Sequence, residues 1–194
     1  MKIKQLLSIL IILFISLPVF SQSANEFRVL YGKSDGELLR KEKLDGIGSY
    51  KILNFNEFGI RYLRQITKGL YLESGINYLT MKLKIGSAPM GRPIEPSFEN
   101  LKVISIPIYA NYAVGKYLFV NGGPLVDFQV SENSIDSQSG LGYSLGFGGK
   151  YDFNKFTLFV NPNFKRHAVV PFHKEMYQQK LTEVGIQAGL GFKL

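Results

Sequence analysis

Cysteine is absent from all 194 residues, and histidine occurs only twice, at His167 and His173. Without thiols there is no disulfide framework and no lipid-modified N-terminal cysteine, so an exported fold of this composition must close by other means. After residue 21 the chain also lacks any apolar run approaching the ~20 residues that a membrane helix needs. If the chain enters a bilayer, strands must carry it there. Nucleotide and metal sites are poorly provided for as well. The glycines of 140–149 read G-x-G-x-x-x-G-x-G-G, which misses the dinucleotide spacing, and no helical pattern follows them. Two histidines in a flexible segment do not fix a ligand geometry, so no metal or other cofactor is expected.

The first residues supply an address. Lys2 and Lys4 precede an apolar core from Leu6 to Leu17; Pro18 ends it, and Val19 and Ser21 offer small residues before Gln22. This is the pattern of a cleaved secretory signal peptide, residues 1–21, followed by one domain over 22–194. Without residues 1–21, which hold two lysines and no acid, the chain carries 21 basic and 15 acidic groups. An exported chain meets no nucleic acid, and its aromatics fall at strand spacing, so the positive balance does not indicate a nucleic-acid surface.

What is abundant is alternation with a period of two. Val184, Ile186, Ala188, Leu190, Phe192 and Leu194 fall on one side of an extended chain, and Glu183, Gly185, Gln187, Gly189, Gly191 and Lys193 on the other. Leu141, Tyr143, Leu145 and Phe147 oppose Gly140, Gly142, Ser144, Gly146 and Gly148 in the same way, and Ile104, Ile106, Ile108 and Ala110 oppose Ser105, Pro107, Tyr109 and Asn111. Eight strands are expected, near 26–33, 55–66, 70–81, 102–114, 117–130, 140–151, 156–166 and 181–194. Most exceed the ~5–6 residues usual in soluble domains and match the ~9–11 that cross a hydrocarbon layer.

The connections between them alternate strictly. Turns at 67–69, 115–116 and 152–155 are short, and those at 34–54, 82–101, 131–139 and 167–180 are long. Outer-membrane barrels sort their loops by end in this manner, with apolar rows toward lipid and polar rows in the lumen. The expected fold is therefore an all-β, eight-stranded antiparallel up-and-down transmembrane barrel in the outer membrane of a Gram-negative bacterium. Pro107, Pro124 and Pro162 each remove a ladder donor, so bulges or strand ends are expected there. The start of the fifth strand is apolar on both faces, through Tyr117 and Phe119.

Three sets of residues stand out. Glu57, Arg61, Glu73, Asp127, Lys150, Glu183 and Lys193 fall on the inward rows and are expected to pair in the lumen, because charges removed from bulk water need partners. An eight-stranded lumen is just wide enough for side chains to fill, which disfavours an open pore. Lys82, Lys84, Arg92, Lys165, Arg166, Lys174 and Lys180 are expected in or beside the external loops, at the depth of lipopolysaccharide phosphates. His167 and His173 share the last long loop, and one of them would be the base of a lipid-modifying hydrolase, with Ser131, Ser134, Ser137 or Ser139 approaching from the neighbouring loop; solvated side chains are the simpler account.

The segment Ile104-Ser105-Ile106-Pro107-Ile108-Tyr109-Ala110-Asn111-Tyr112, followed by Leu118-Phe119-Val120-Asn121-Gly122-Gly123-Pro124, resembles the Bacteroidota outer-membrane β-barrel domain often called PorT-like. The glycine-rich sixth strand and the closing Gly189-Leu190-Gly191-Phe192-Lys193-Leu194 extend the likeness over most of residues 22–194. The resemblance implies an architecture more than an activity; some members serve secretion or gliding machinery. Gln187, Gly189, Phe192 and Leu194 also resemble the C-terminal pattern read by the barrel-assembly machinery, with leucine in place of a final aromatic. The function expected is a structural or interaction scaffold, not an enzyme, in contact with outer-membrane lipid, with lipopolysaccharide and with a protein partner the sequence does not identify. A lipid-modifying hydrolase, a soluble periplasmic lipid-binding barrel and an accessory part of a secretion machine are the alternatives.

Overall fold

A computed structural model describes residues 25–40, 49–86, 96–131, 135–173 and 178–194. The expected signal peptide, Arg92 and Lys174 lie outside the described residues. Eight strands, β1 (Asn25–Arg40), β2 (Ser49–Thr67), β3 (Leu70–Gly86), β4 (Ser97–Val114), β5 (Leu118–Gln129), β6 (Gly140–Phe153), β7 (Phe156–Pro171) and β8 (Gln179–Lys193), close into one barrel in sequence order. Every neighbouring pair is antiparallel, and β8 pairs with β1 to complete the ring. The two ends of the described chain meet at the short-turn rim, where Leu194 donates its backbone N–H to the Asn25 carbonyl at 2.9 Å. Gly69 (φ 81°), Gly115 (φ 68°) and Asn154 (φ 55°) occupy the left-handed conformation that the tight turns of this rim require.

Over the half of the barrel nearest the short turns, the side-chain rows separate as a membrane demands. Val29, Phe58, Ile60, Ile76, Ile108, Leu145, Phe147, Ile186 and Leu190 project outward, with Ile76 60% and Phe147 66% exposed. Arg61, Glu73, Asn77, Asn111, Asn121 and Gln187 point into the lumen and are buried. An aromatic girdle rims the short-turn end: Phe27 packs on Tyr62 (5.1 Å between ring centroids), Tyr117 on Tyr151 (6.4 Å), Phe153 on Phe156 (5.7 Å) and Phe156 on Phe192 (5.5 Å). Such rings sit where apolar and wet surroundings meet.

Toward the long connections the polarity reverses on β1 to β4. There Lys33, Asp35, Glu37, Lys51, Asn54, Lys82 and Lys102 face outward and are exposed. Phe55, Leu79, Met81, Leu83, Leu101, Val103, Leu181 and Ile135 form a buried apolar core inside. This is the pattern of a water-soluble barrel stacked on a membrane barrel. It explains why β1 to β4 run beyond their expected limits, and β7 and β8 are longer than expected as well. β1 reaches Arg40, β2 begins at Ser49, β3 continues to Gly86, β4 begins at Ser97, β7 continues to Pro171 and β8 begins at Gln179. The backbone continues, but the apolar row changes face, so a search for outward apolar rows stops too soon. On β5 to β7 the wall stays apolar farther up, through Phe128, Val130, Leu141 and Val170.

The expectation about the prolines is corrected. The register slips at Ile52/Asn54, Gln65/Thr67 and Leu141/Tyr143, and at none of Pro107, Pro124 or Pro162. Instead the pairing steps over a few rungs and resumes in register: Ser74–Ile108 to Asn77–Ser105, Pro107–Leu125 to Ala110–Gly122, and Gly146–Asn163 to Gly149–Val160. A missing N–H removes a bond toward one neighbour only, and side chains make up part of the loss. The outward Ser74 hydroxyl donates to the Pro107 carbonyl at 2.8 Å, which also spares a lipid-facing hydroxyl from going unbonded.

An arginine at position 76, in the middle of the apolar wall, is expected to cost about 2–4 kcal/mol, whereas Lys82→Arg on the polar wall should be close to neutral. Unfolding titrations of the refolded barrel, followed by gel mobility of heated and unheated samples, read the difference.

Candidate functional site

The interior is the candidate site, and its geometry follows from parity. Inward positions recur every second residue on each strand, so eight strands deliver their polar residues to one axis. Three levels can be distinguished.

At the short-turn mouth, Lys193 lies 3.0 Å and Lys150 3.8 Å from the Asp152 carboxylate, which also accepts from the Thr157 hydroxyl at 2.6 Å. Just above, Arg28 bonds Glu26 at 2.7 Å. Its guanidinium stands over the rings of Phe159 (4.7 Å) and Phe119 (5.6 Å), which pack with Leu30. Phe119 thus accounts for the second apolar face at the start of β5: it turns inward and, with Phe159, closes the lumen around a cation. Tyr117 lies outside, in the girdle.

The middle level is a continuous network. Arg61 donates from Nη1 to Glu73 (2.5 Å) and from Nε to Asn77 Oδ1 (2.9 Å), with Tyr109 beneath its plane at 5.1 Å. Asn111 donates to the other Glu73 oxygen at 2.7 Å. Glu57 accepts from Asn77 at 2.5 Å, from Lys165 at 2.6 Å and from Gln187 at 2.6 Å. The packing is tight where the glycines of β6 line it. A Cβ at Gly146 would come within 2.5 Å of Asn121 Oδ1 and 2.7 Å of Asn161 Oδ1, so the glycine-rich rows are set by the crowded lumen they line.

The upper level joins Lys165 to Glu183 at 2.7 Å, and His167 to Asp127 at 3.0 Å through Nδ1 and to Glu183 at 3.7 Å through Nε2. The Ser105 hydroxyl makes a short hydrogen bond to the same Asp127. A bulge in β7 sets His167 in place. Leu141 pairs with Val170 while Tyr143 pairs with Arg166, so three residues of β7 stand opposite Gly142. Ala168 at the centre of this bulge takes φ 46°, unusual for a residue with a side chain, and both His167 and Ala168 are fully buried. Bulges re-aim side chains in this way. Gly142 makes it possible, because a Cβ there would meet the Arg166 carbonyl, the Asp127 carboxylate and His167 Cα.

Several expected positions change. Lys165 is 2% exposed and inside the barrel, and His167 is 0% exposed and inside as well, neither in a loop. Lys82, Lys84 and Arg166 belong to strands whose ends pass the expected limits, and not to loops. His173 is exposed just beyond β7. Ser105 and His167 both bond Asp127 and do not bond each other, so the constellation lacks the nucleophile-to-base contact that acyl transfer needs. Ser131 and Ser139 accept backbone N–H groups of Lys102 and Gln129, and the Ser137 hydroxyl accepts that of Ser139. Ser134 lies outside the described residues. Among the described residues no group of three or more His, Asp or Glu is arranged to hold a metal ion. Of the residues resembling an assembly pattern, Gln187 and Gly189 face the lumen, while Phe192 and Leu194 are exposed on the outer wall.

Lys165, His167, Arg28 and Glu26 were not among the lumen residues expected from sequence. Parity would have found Lys165, since Thr157, Phe159, Asn161, Asn163 and Lys165 form one row. His167 follows in that row only because the bulge begins after it.

No protein-family model matches this sequence, and no curated protein does. Among solved structures, OprG from Pseudomonas aeruginosa superposes with a TM-score of 0.60 at 12% identity, covering 89% of this chain and 96% of that one. AlkL, determined in lipid bilayers, superposes with a TM-score of 0.58 at 12% identity, covering 92% and 95%. Both are outer-membrane proteins. The chain has the fold of an eight-stranded outer-membrane β-barrel.

Lys165→Met should cost about 3–5 kcal/mol, because it leaves Glu57 and Glu183 buried without their shared cation. Lys150→Ala at the half-open mouth should change stability by no more than about 1 kcal/mol. Urea midpoints of the two variants in the same detergent provide the comparison.

Proposed function

We propose that this chain is an integral outer-membrane protein of a Gram-negative bacterium, exported through the secretory pathway, that works as a non-conducting scaffold. The observation that carries this reading is the pairing of an apolar outer wall with a lumen filled by interlocked ions, amides and aromatic rings. A channel needs a continuous wet path, and here the Arg28–Phe119–Phe159 and Arg61–Glu73–Glu57–Lys165 levels occupy it. A soluble lipid-binding barrel would need its Leu and Ile rows inside over its whole height, whereas in the half nearest the short turns Ile60, Ile76, Ile108, Leu145, Ile186 and Leu190 are outside. Against a hydrolase with His167 as base stands the burial of that ring and its bond to Asp127 in place of a serine, while His173, the other candidate base, is exposed.

The scaffold would offer its long-connection end to partners. Lys51, Lys82 and Lys102 lie side by side on the outer wall of β2 to β4 just above the apolar belt, where lipopolysaccharide phosphates would lie. The exposed Phe192 and Leu194 on the last strand favour recognition by the barrel-assembly machinery. We assign the chain to the PorT-like group on the residues of β4 to β6 that resemble it, and a place as an accessory of a secretion machine is compatible with this.

Expression of the full chain tests the reading. The protein should appear in the outer membrane, require detergent for release and give no conductance steps in planar bilayers. Release without detergent, or discrete ion conductance from the folded barrel, would overturn it.

A further inference from the structure

The barrel wall is not sealed along its whole height. β1 and β2 are paired from Asn25–Arg64 to Lys33–Asn56 and no farther. Yet both continue: β1 stays paired with β8 up to Arg40–Gln179, and β2 stays paired with β3 up to Ser49–Gly86. Between residues 34–40 and 49–55 two strand edges therefore face each other without rungs. A cleft of about 530 Å³ occupies the seam, lined by Asp35, Gly36 and Glu37 of β1, Lys51 and Ile52 of β2, and Glu183 of β8. Its size is that of a ligand site.

Three features identify what fits. The seam opens on a mostly polar part of the wall, where Lys33, Asp35, Glu37, Lys51 and Asn54 are exposed alongside Leu39 and Leu53, so its free edges meet water and not acyl chains. One free edge group is covered from within: the Gly36 N–H donates to its neighbour Asp35 Oδ1 at 2.9 Å, a side-chain cap of the kind that blunts exposed strand edges and that a better acceptor can displace. The side chains of the β1 edge alternate in chemistry. Asp35 and Glu37 point outward with negative charge, followed by Leu39 on the same row, while Gly36 and Leu38 point inward, small or apolar, beside Ile52.

We propose that this seam is a docking slot for an extended polypeptide segment of alternating basic and apolar residues, which pairs with the free edge of β1. Main-chain hydrogen bonds would hold the guest, as in other cases of strand addition. Its basic side chains lie across from Asp35 and Glu37, where opposite charges on paired strands attract. Its apolar side chains turn inward against Leu38 and Ile52. The slot rests on the scaffold reading and gives that scaffold a defined partner chemistry.

The test uses the full chain in nanodiscs of zwitterionic phospholipid, with empty nanodiscs as the blank. The probe is a fluorescent, N-acetylated Lys-Leu-Lys-Leu-Lys-Leu peptide. Saturable binding is expected, weakened at least ten-fold by the double variant Asp35→Lys/Glu37→Lys and by a peptide with proline in place of two leucines, which keeps the charge but loses two backbone donors and the regular strand ladder. Both substituted residues are exposed on the outer wall, and unchanged heat-dependent gel mobility verifies that the variant is folded. Absence of saturable binding overturns the slot, as does binding that survives the charge reversal or is as strong with the proline peptide. A chain that never inserts in the nanodiscs overturns the scaffold itself and the slot with it, so the two failures are distinguishable.

Discussion

A backbone amide in hydrocarbon has no water to bond, and that constraint governs the rest of this structure. A sheet satisfies it only by closing, and closing eight strands makes a lumen barely wider than its own side chains. The inward rows then hold whatever the lipid will not accept. Buried ions are costly unless each finds a partner, so the interior resolves into linked pairs: Arg28 with Glu26, Arg61 with Glu73, Lys165 with Glu57 and Glu183, and His167 with Asp127. The glycines of β6 and β8 are the other side of the same crowding.

Where the lipid ends, the constraint ends with it. Above the belt on β1 to β4 the same continuous strands exchange inside for outside, and Leu79, Met81, Leu83, Leu101 and Val103 build an ordinary apolar core beneath exposed lysines. Residues 135–139 join that core from above. Ile135 packs into it, and Gln138 bonds the Gln179 carbonyl and the Leu181 N–H at 3.0 and 2.8 Å. Only in this watered part can a strand edge stay unpaired, which is why the β1–β2 seam lies there. The membrane half seals the barrel, and the unpaired edges of β1 and β2 lie in the outer half.

Much of this was legible because alternation is a local property. The rows of β6 and β8 assign their faces without any tertiary information, and the alternation of short and long connections orients the barrel. What escaped was whatever broke a single rule. The outer ends of β1, β2, β3 and β4 read as loops in the sequence because Leu79, Met81 and Leu83 alternate out of phase with Leu72, Ile76 and Tyr78. His167 reads as a loop residue because the bulge at Ala168 interrupts the alternation of β7 just after it. The prolines pointed to bulges, but each deleted one donor without adding a residue, and only an added residue shifts a register. Pairing partners such as Lys165 with Glu57, 108 positions apart, depend on closure and cannot be read from spacing.

The absence of cysteine makes the orientation of the rows directly measurable. Single cysteines carrying spin labels at positions 60, 76, 108, 145 and 186 should be accessible to oxygen dissolved in the bilayer and not to a water-soluble nickel relaxant. Labels at 82 and 102 should show the opposite preference. Nickel accessibility at the first set, or oxygen preference at the second, would contradict the account of a membrane barrel carrying a soluble one above it.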